Sequence, residues 1–162
     1  MIVRQAVADD AAAIAGITNA IIADTLATFT TEQRSIDQVA GDIAERVPAF
    51  LVAEMAGDVV GFAKYGPFRA GPGYSACREH SVQLAQVARG KGVGRALMIR
   101  LQQIARQEGV HVLVAGISSA NPGAVAFHAA LGFEGVGRMP EIGVKWGQRL
   151  DLVLMQKILL PE

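Results

Sequence analysis

The sequence lacks most of the features that mark secreted, membrane-spanning or nucleic-acid-binding proteins. Its 162 residues include a single cysteine, Cys77, so no disulfide can form within the chain, which fits a reducing compartment. The 15 basic and 15 acidic side chains cancel, whereas a nucleic-acid surface requires an excess of positive charge. No apolar run is long enough to cross a bilayer, and the first four residues are typical of a strand and not of a signal peptide. We therefore expect a cytoplasmic protein with neither nucleic acid nor membrane as partner.

Hydrophobic residues are abundant, at 51% of the chain against 19% charged residues. Such a composition is typical of a folded globular protein. The length of 162 residues suits one domain with a sizeable core. We therefore expect a single domain over residues 1–162.

The predicted elements alternate in a way typical of a mixed α/β protein. Strands are predicted at 2–7, 50–55, 59–65, 76–87, 110–117, 133–139 and 150–159. Helices are predicted from Asp9 or Asp10 to about residue 24, at 36–46 after a Ser35 N-cap, at about 92–108 and at 121–131. A loop that contains Trp146 is expected to join the last two strands. The order β-α-α-β-β-β-α-β-α-β-β predicts helices packed on a central sheet.

A glycine-rich turn between a predicted strand and a predicted helix carries the strongest functional signal. It consists of Arg89, Gly90, Lys91, Gly92, Val93, Gly94 and Arg95. Glycine lets the backbone approach an anion, and the first free N–H groups of the following helix point at it. The spacing matches neither the dinucleotide fingerprint nor the Walker motif. The turn therefore predicts a phosphate site of another kind, and the alternative is a tight turn whose basic residues are only solvated.

Two ordered motifs resemble the signatures of one family. The Arg-x-x-Gly-x-Gly pattern of the turn resembles the pyrophosphate loop of the GNAT acetyltransferases. The segment from Asn121 to Phe133 resembles their second signature, Asn-x-x-Ala-x-x-Phe/Leu-Tyr/His-x-x-x-Gly-Phe. The resemblance implies the GNAT fold and acetyl-CoA as co-substrate, with its pyrophosphate on the glycine-rich turn. No metal is expected, because no His, Cys or Asp cluster has metal-ligand spacing.

The resemblance also implies where the rest of the coenzyme would lie. The family's sheet splays open between its fourth and fifth strands, and pantetheine occupies the gap. The residues placed beside pantetheine in this way are Val82, Gln83, Leu84 and Asn121. Asparagine is also a good helix N-cap, and the two roles of Asn121 are compatible.

Glu79 is the candidate general base. Alternation along a strand puts Glu79, Ser81 and Gln83 on one face, and a glutamate inside a central strand is costly to bury unless it has a partner or a task. The alternative is a structural ion pair with Arg69 or Arg78. Glu-His-Ser here is similar to a signature of the phosphinothricin acetyltransferase branch of the GNATs, whose glutamate lines the acceptor site and is a candidate base. Burial would raise the pKa of this carboxyl into a useful range.

His128 is the second candidate catalytic residue. Many GNATs have at this position a tyrosine that acts as acid toward the leaving thiolate, and the phosphinothricin branch typically has histidine. The alternative is a helix histidine that is hydrogen-bonded for structure. His80, one residue after Glu79, is expected to be structural.

The residues that the resemblance assigns to the acceptor are Phe29, Arg69, Glu79 and Ser81. Arg69 follows Phe68 in a segment where the family places an aromatic–Arg pair facing the acceptor, and a guanidinium binds a carboxylate through two parallel hydrogen bonds. The alternatives are a solvated Arg69 and an ordinary core role for Phe29. The tail from Gly143 to Gln156 is similar to a branch segment that builds the acceptor pocket, sometimes across a dimer interface, so we expect a homodimer.

The resemblance therefore predicts direct transfer of an acetyl group to the α-amine of phosphinothricin, methionine sulfoximine or sulfone, or a related amino acid. Three departures from the branch lie near the acceptor end: Gln83 replaces a usual tyrosine, Gln148-Arg149 replaces a usual Arg-Trp, and the loop at residues 70–73 lacks the charged or aromatic side chains often found there. They leave two alternatives open. One is an acetyltransferase for another small amine or a protein N-terminus, and the other is a non-catalytic CoA-binding sensor.

Overall fold

Seven strands form one mixed sheet in the computed structural model of the chain, which describes residues 1–160. The strands are β1 (Ile2–Gln5), β2 (Phe50–Met55), β3 (Asp58–Pro67), β4 (Cys77–Leu84), β5 (Val112–Ser118), β6 (Glu134–Lys145) and β7 (Gln148–Ile158). The α-helices are α1 (Ala11–Asp24), α2 (Ile36–Arg46), α3 (Val93–Gln107) and α4 (Pro122–Ala130). The predicted order of elements and the mixed α/β class are confirmed.

The strands lie in the order β1-β2-β3-β4-β5-β7-β6. Neighbouring strands are antiparallel except β4 and β5, which are parallel. Helices α1 and α2 cover one face through a core that includes Ile14, Val39 and Phe50. Helix α3 and the α4 segment pack on the core of the other face, which includes Leu97, Leu101 and Leu113. The sheet therefore separates two layers of helices, as the apolar patterns predict.

Two helix starts follow the predicted local chemistry. The hydroxyl of Ser35 accepts a hydrogen bond from the Gln38 amide at 3.1 Å, and the Gln38 side chain accepts one from the Ser35 amide at 2.9 Å. This is a capping box, in which two free donors are satisfied reciprocally. At α4 the Asn121 side chain accepts from the Ala124 amide at 3.2 Å. Asn121 therefore does serve as an N-cap.

The sequence-based boundaries are off by one or two residues at several strand ends and differ most at two places. The predicted strand 76–87 ends at Leu84, and a short 3-10 turn follows at 86–88. The expected loop around Trp146 is instead a two-residue hairpin turn, because β6 continues to Lys145 and β7 begins at Gln148. Trp146 and Gly147 have φ values of 51° and 74°, which suit a primed hairpin turn. Pro140 and the shift in register between Met139 and Gly143 obscure the strand pattern there.

Lys145 joins this hairpin to the connection between α1 and α2. Its side chain is 1% exposed, and its Nζ donates to the carbonyls of Ile22 and Thr25, each at 2.7 Å, and to the Thr28 hydroxyl at 3.1 Å. Two of these acceptors are carbonyls at the C-terminal end of α1, where a cation is favoured. All three donors of the ammonium are thereby used. Within residues 1–160, no helix is long and apolar enough to cross a membrane.

We expect Lys145→Met to destabilise the protein by about 2–3 kcal/mol, because methionine preserves much of the stem but leaves buried acceptors unsatisfied. Urea unfolding followed by circular dichroism measures the free energy of unfolding. Lys91→Met is the matched control, since Lys91 is exposed and its replacement should change stability by less than about 0.5 kcal/mol. Equal midpoints for the two variants would contradict the role given to Lys145.

Candidate active site

The main cavity lies where β4 and β5 part. These strands are in register only from Cys77 to Glu79, paired with residues 112–114. The carbonyl of Ala76 accepts from the amides of His111 and Val112 at 2.8 and 3.1 Å, which holds the strand starts together. Beyond Glu79 the strands separate around a cavity of about 760 Å³, which we call the gap cavity. Each strand remains paired on its other edge, β4 with β3 and β5 with β7.

Four predicted coenzyme residues line the gap cavity together: Val82, Gln83, Leu84 and Asn121. Gln83 is held by the Thr18 hydroxyl, which donates to its Oε1 at 2.8 Å. Asn121 stands at the start of α4, which borders the cavity. The structure therefore brings strand β4 and helix α4 to the same opening, from opposite sides.

The glycine-rich turn borders the same cavity. Arg89, Gly90 and Gly94 contribute to its lining, while Lys91, Gly92 and Arg95 are exposed and Val93 is buried. The first backbone hydrogen bond of α3 runs from the Ala96 amide to the Gly92 carbonyl at 3.0 Å. The three helical amides that precede it, those of residues 93–95, are left free for an anion.

Glycine is required by geometry at several positions of this turn. Gly90 and Gly92 have φ values of 71° and 77°, which L residues with side chains rarely adopt. At Gly94 an added Cβ would lie 3.2 Å from the ring of Phe127. A side chain there would therefore push α3 away from α4 or enter the cavity. The residues present fit a diphosphate, because they offer free donors, positive charge and close backbone approach.

Glu79 lies beside the point where the strands begin to part. An added Cβ on Gly116 would meet Glu79 Oε1 at 2.9 Å, and Gly116 lines the gap cavity. Neither Arg69 nor Arg78 pairs with Glu79, and among residues 1–160 no cation or hydrogen-bond donor does. Glu79 is exposed and not buried as expected, and partial desolvation by its surroundings raises the pKa of this carboxyl. Glu79 is therefore a free carboxylate suited to accepting a proton.

His80 and His128 form a buried pair on the wall of the gap cavity. Their Nε2 atoms are 2.9 Å apart, and the Nδ1 of His128 lies 2.7 Å from the Ala124 carbonyl. A carbonyl only accepts, so His128 carries its proton on Nδ1, and its Nε2 accepts from the Nε2–H of His80. This assigns both neutral tautomers. It leaves the buried Nδ1 of His80 without a hydrogen-bond partner among the described residues.

Both rings of this pair are neutral near neutral pH. Burial, and to a lesser extent the proximity of His128, lowers the pKa of His80 to about 3. Burial also lowers the pKa of His128. Because both nitrogens of His128 are engaged, the ring has no free N–H to offer a ligand in this arrangement.

The predicted acceptor residues are less closely grouped. Ser81 lines the gap cavity, but Arg69 is exposed and lies beside its neighbour Phe68, with its guanidinium carbon 5.9 Å from the ring centre. Phe29 packs so closely on Gly143 that any side chain at 143 would overlap its ring. Neither Arg69 nor Phe29 lines a cavity described here.

A second cavity, of about 510 Å³, lies between the sheet and helices α1 and α2, and we call it the helix-face cavity. Its polar lining includes Arg34, Asp42 and Lys64, which have no functional signature in the sequence. Asp42 accepts from Arg34 at 3.2 Å and also from Lys64 and from Arg46, which lies four residues along the helix. The i,i+4 spacing of Asp42 and Arg46 could have indicated their pairing. Lys64 contacts Asp42 from strand β3, and no pattern of neighbouring residues in the sequence predicts that contact.

The two cavities meet at shared residues. Thr28, Ser81 and Gln83 line both of them. A ligand in the gap cavity and a ligand on the α1 and α2 face would therefore meet at Ser81 and Gln83 of β4, whereas Glu79, two residues before Ser81, lines neither cavity.

Comparison with curated proteins gives relatives over most of the chain. An L-methionine sulfoximine/L-methionine sulfone acetyltransferase of Salmonella typhimurium is 39% identical over 159 residues, covering 96% of this chain and 93% of that protein. The protein of the same description in Pseudomonas aeruginosa is 43% identical over 114 residues, which covers 70% of this chain but 66% of its own length.

Solved structures agree with the fold. A ribosomal-protein-alanine N-acetyltransferase from Brucella melitensis is similar with a TM-score of 0.94 and 40% identity, covering 98% of this chain and 100% of that one. A phosphinothricin acetyltransferase from Sinorhizobium meliloti, in complex with acetyl-CoA, gives a TM-score of 0.92 and 33% identity over 98% of this chain and 88% of that one.

The family model of the GNAT acetyltransferases matches residues 16–133, which include the glycine-rich turn, Glu79 and His128. With the parted strands and the free amides of α3, this match shows that the chain belongs to the GNAT acetyltransferase family.

Proposed function

We propose that the protein transfers the acetyl group of acetyl-CoA to the α-amine of a small amino-acid-like acceptor, such as phosphinothricin or methionine sulfoximine or sulfone. One observation carries the proposal: the parted β4 and β5 and the free amides of α3 border a single cavity. The descriptions of the Salmonella and Sinorhizobium relatives support this class of acceptor. The transfer is direct, within a complex that holds both substrates.

The chain's own groups fit each part of the coenzyme. The amides of residues 93–95, with Arg89, hold the diphosphate, which is attracted to a helix N-terminus. The edge of β4 that faces the gap has no strand partner beyond Glu79, so its backbone groups can pair with the amides of pantetheine as a strand would. Bound in this way, acetyl-CoA supplies an activated acetyl thioester beside Glu79 and Ser81.

Glu79 serves as the general base for the acceptor. An ammonium group has no lone pair, so the amine must lose a proton before it attacks. Glu79 takes that proton directly or through one water, because its carboxylate has no cation to neutralise it and has a raised pKa. A nitrogen–carbon bond then forms as the carbon–sulfur bond breaks, and the electron pair leaves with the sulfur. The nitrogen loses its second proton in this step, and the thiolate gains one, so that the products are the amide and the thiol.

His128 is the proposed acid for the leaving thiolate, and its hydrogen bonds limit when it can act. Its Nδ1–H is engaged by Ala124, and its Nε2 accepts from His80. Nε2 must therefore separate from His80 and gain a proton before His128 can donate one to the sulfur.

Two finer features are also proposed. The protein acts as a homodimer through β6, an edge strand whose exposed apolar side chains are Val136, Met139, Ile142 and Val144. Unpaired apolar edge strands are ready to associate. We place the protein in the cytoplasm, where its half-buried Cys77 would stay reduced.

Transfer to a protein N-terminus is the second candidate function, because the Brucella structure is described as a ribosomal-protein-alanine N-acetyltransferase. The release of CoA thiol, measured with free amino acids, their sulfone and phosphinate analogues, and alanine-initiated peptides, separates the candidates. Release with the free acceptors and not with the peptides supports the proposal. Release with peptides alone contradicts it.

We expect Glu79→Gln to lower kcat/KM by on the order of 10²–10³, because glutamine is similar in shape but cannot accept the proton. In the wild type the rate should rise with pH through the raised pKa of Glu79, since only the deprotonated carboxylate is a base. The rise in rate that is due to Glu79 should disappear in the variant. Only the rise due to deprotonation of the acceptor's own amine should remain. Glu45→Gln, at an exposed position of α2, is the control, and an unchanged profile in Glu79→Gln would contradict the assignment.

We expect Arg89→Gln to weaken the binding of CoA by about threefold to tenfold, because one charge-assisted contact to the diphosphate is lost. Isothermal titration measures the dissociation constant. S-acetylpantetheine lacks the diphosphate and should bind the variant and the wild type equally. Arg100→Gln, at an exposed position of α3, controls for the change in net charge, and an equal loss for both ligands would place Arg89 away from the diphosphate.

We expect Arg69→Ala to raise KM at least about tenfold for acceptors that carry an α-carboxylate, since a guanidinium–carboxylate pair is lost. The corresponding amino acid amides, whose carboxylate is neutralised, should show little change. Arg100→Ala, which removes an exposed arginine of α3, serves as the control. Equal KM changes for acids and amides would remove Arg69 from the acceptor site.

A further inference from the structure

The helix-face cavity contains a surplus of positive charge. Asp42 is the carboxylate that pairs with Arg34, Arg46 and Lys64. Within residues 1–160, none of the three cations pairs with another acidic side chain. Glu32 also lines the cavity but is exposed and forms no ion pair with them. One negative charge therefore faces three positive charges.

This surplus is held in a partly dry place. The side chains of Lys64 and Arg34 are 19% and 35% exposed, and that of Asp42 is 8% exposed. The floor of the cavity is apolar and includes Phe50 and Phe62. Unbalanced charge is more costly in such surroundings than in water. Burial first, and then the repulsion of Arg34 and Arg46, lowers the pKa of Lys64 against the pull of Asp42.

The cluster is next to the proposed reaction centre. Lys64 is directly opposite Ser81 in the β3–β4 register, and Gly66 is opposite Glu79. Opposed residues on one face of an antiparallel pair have Cβ atoms about 4.5–5.5 Å apart. Glu79 is therefore opposite Gly66 of β3. Lys64 lies two residues before Gly66, and the segment that leads to Arg69 follows it.

We propose that the helix-face cavity is the acceptor's side-chain subsite, and that Lys64 and Arg34 bind an anionic or oxygen-rich side-chain terminus such as a phosphinate, sulfone or sulfoximine. An acceptor amine at Glu79 then has its carboxylate directed toward Arg69 and its side chain toward Lys64. A phosphinate supplies the negative charge that the cluster lacks, and the oxygens of a sulfone or sulfoximine, which carry partial negative charge, accept hydrogen bonds from the same cations. This assignment rests on the proposed function for the identity of the acceptor.

Equilibrium binding tests the subsite without any turnover. L-Methionine sulfone, phosphinothricin and L-methionine are each titrated calorimetrically into the full chain without acetyl-CoA. Methionine shares the amine, the carboxylate and the carbon–sulfur skeleton of its sulfone but lacks the two oxygens on sulfur. In the wild type, methionine sulfone and phosphinothricin should bind at least about tenfold more tightly than methionine.

Lys64→Met should weaken binding of the sulfone and the phosphinate by about tenfold and leave the binding of methionine unchanged. Arg100→Met is the matched control, because it removes an equal charge from an exposed position of α3 that does not line the cavity. It should change each dissociation constant by less than about threefold, through the screened field alone. If Lys64→Met does not fold, Arg34→Met removes the other proposed ligand-binding cation of the cavity. The same selective loss of binding is then expected for the sulfone and the phosphinate.

Three results would overturn the subsite. They are equal binding of methionine and its sulfone by the wild type, an equal loss for methionine in Lys64→Met, and an effect of Arg100→Met as large as that of Lys64→Met. The proposed function fails by a different readout, namely no thiol release from acetyl-CoA with any acceptor. Selective binding of the oxygenated ligands by a protein without transfer activity would therefore support the subsite and reject the function.

Discussion

The short pairing between β4 and β5 is the constraint on which the rest of the structure depends. Only residues 77–79 of β4 have partners on β5, whereas β5 pairs with β7 along its whole length. Backbone groups buried away from water need partners, so a gap inside a sheet persists only where solvent or a ligand supplies them. The parting thus creates a site within the sheet and leaves the backbone edge of β4 available to an extended ligand.

The two layers of helices give the two sides of this gap different chemistry. On the α3 and α4 side, free amides and the basic turn favour a phosphate group. On the α1 and α2 side, the surplus charge around Asp42 favours a ligand with negative oxygens. Ser81 and Gln83 line both cavities, so ligands entering from opposite faces would meet at β4. This geometry supports the proposed direct transfer, because no group would need to travel between distant sites.

Features set by neighbouring residues could be predicted from the sequence, and features set by contacts between distant residues could not. The glycine-rich turn, the Ser35 cap and the order of elements depend on short-range patterns, and each lies where the sequence predicts it. The extent of β6 was hidden by Pro140 and the irregular register beside it. Lys64 and Lys145 contact Asp42 and Thr25, which are 22 and 120 positions away, and no spacing in the sequence predicts such partners. The position of Arg69 on an exposed loop likewise follows from the path of the chain.

The histidine pair shows why a motif does not determine a residue's chemistry. The second signature indicates a histidine at 128, but its protonation state depends on His80, which comes from another strand, and on the Ala124 carbonyl. Phe127 and Phe133 pack around the pair with ring centres 5.1–5.2 Å from His128, so the charged form of either ring is disfavoured. Near neutral pH the wall beside the sulfur is therefore uncharged, while Glu79 and Lys64 bring titratable groups to the acceptor side. In the proposed reaction, positive charge that develops on the acceptor nitrogen is met by Glu79, and negative charge on the sulfur must wait for the histidine pair to open or be met by water.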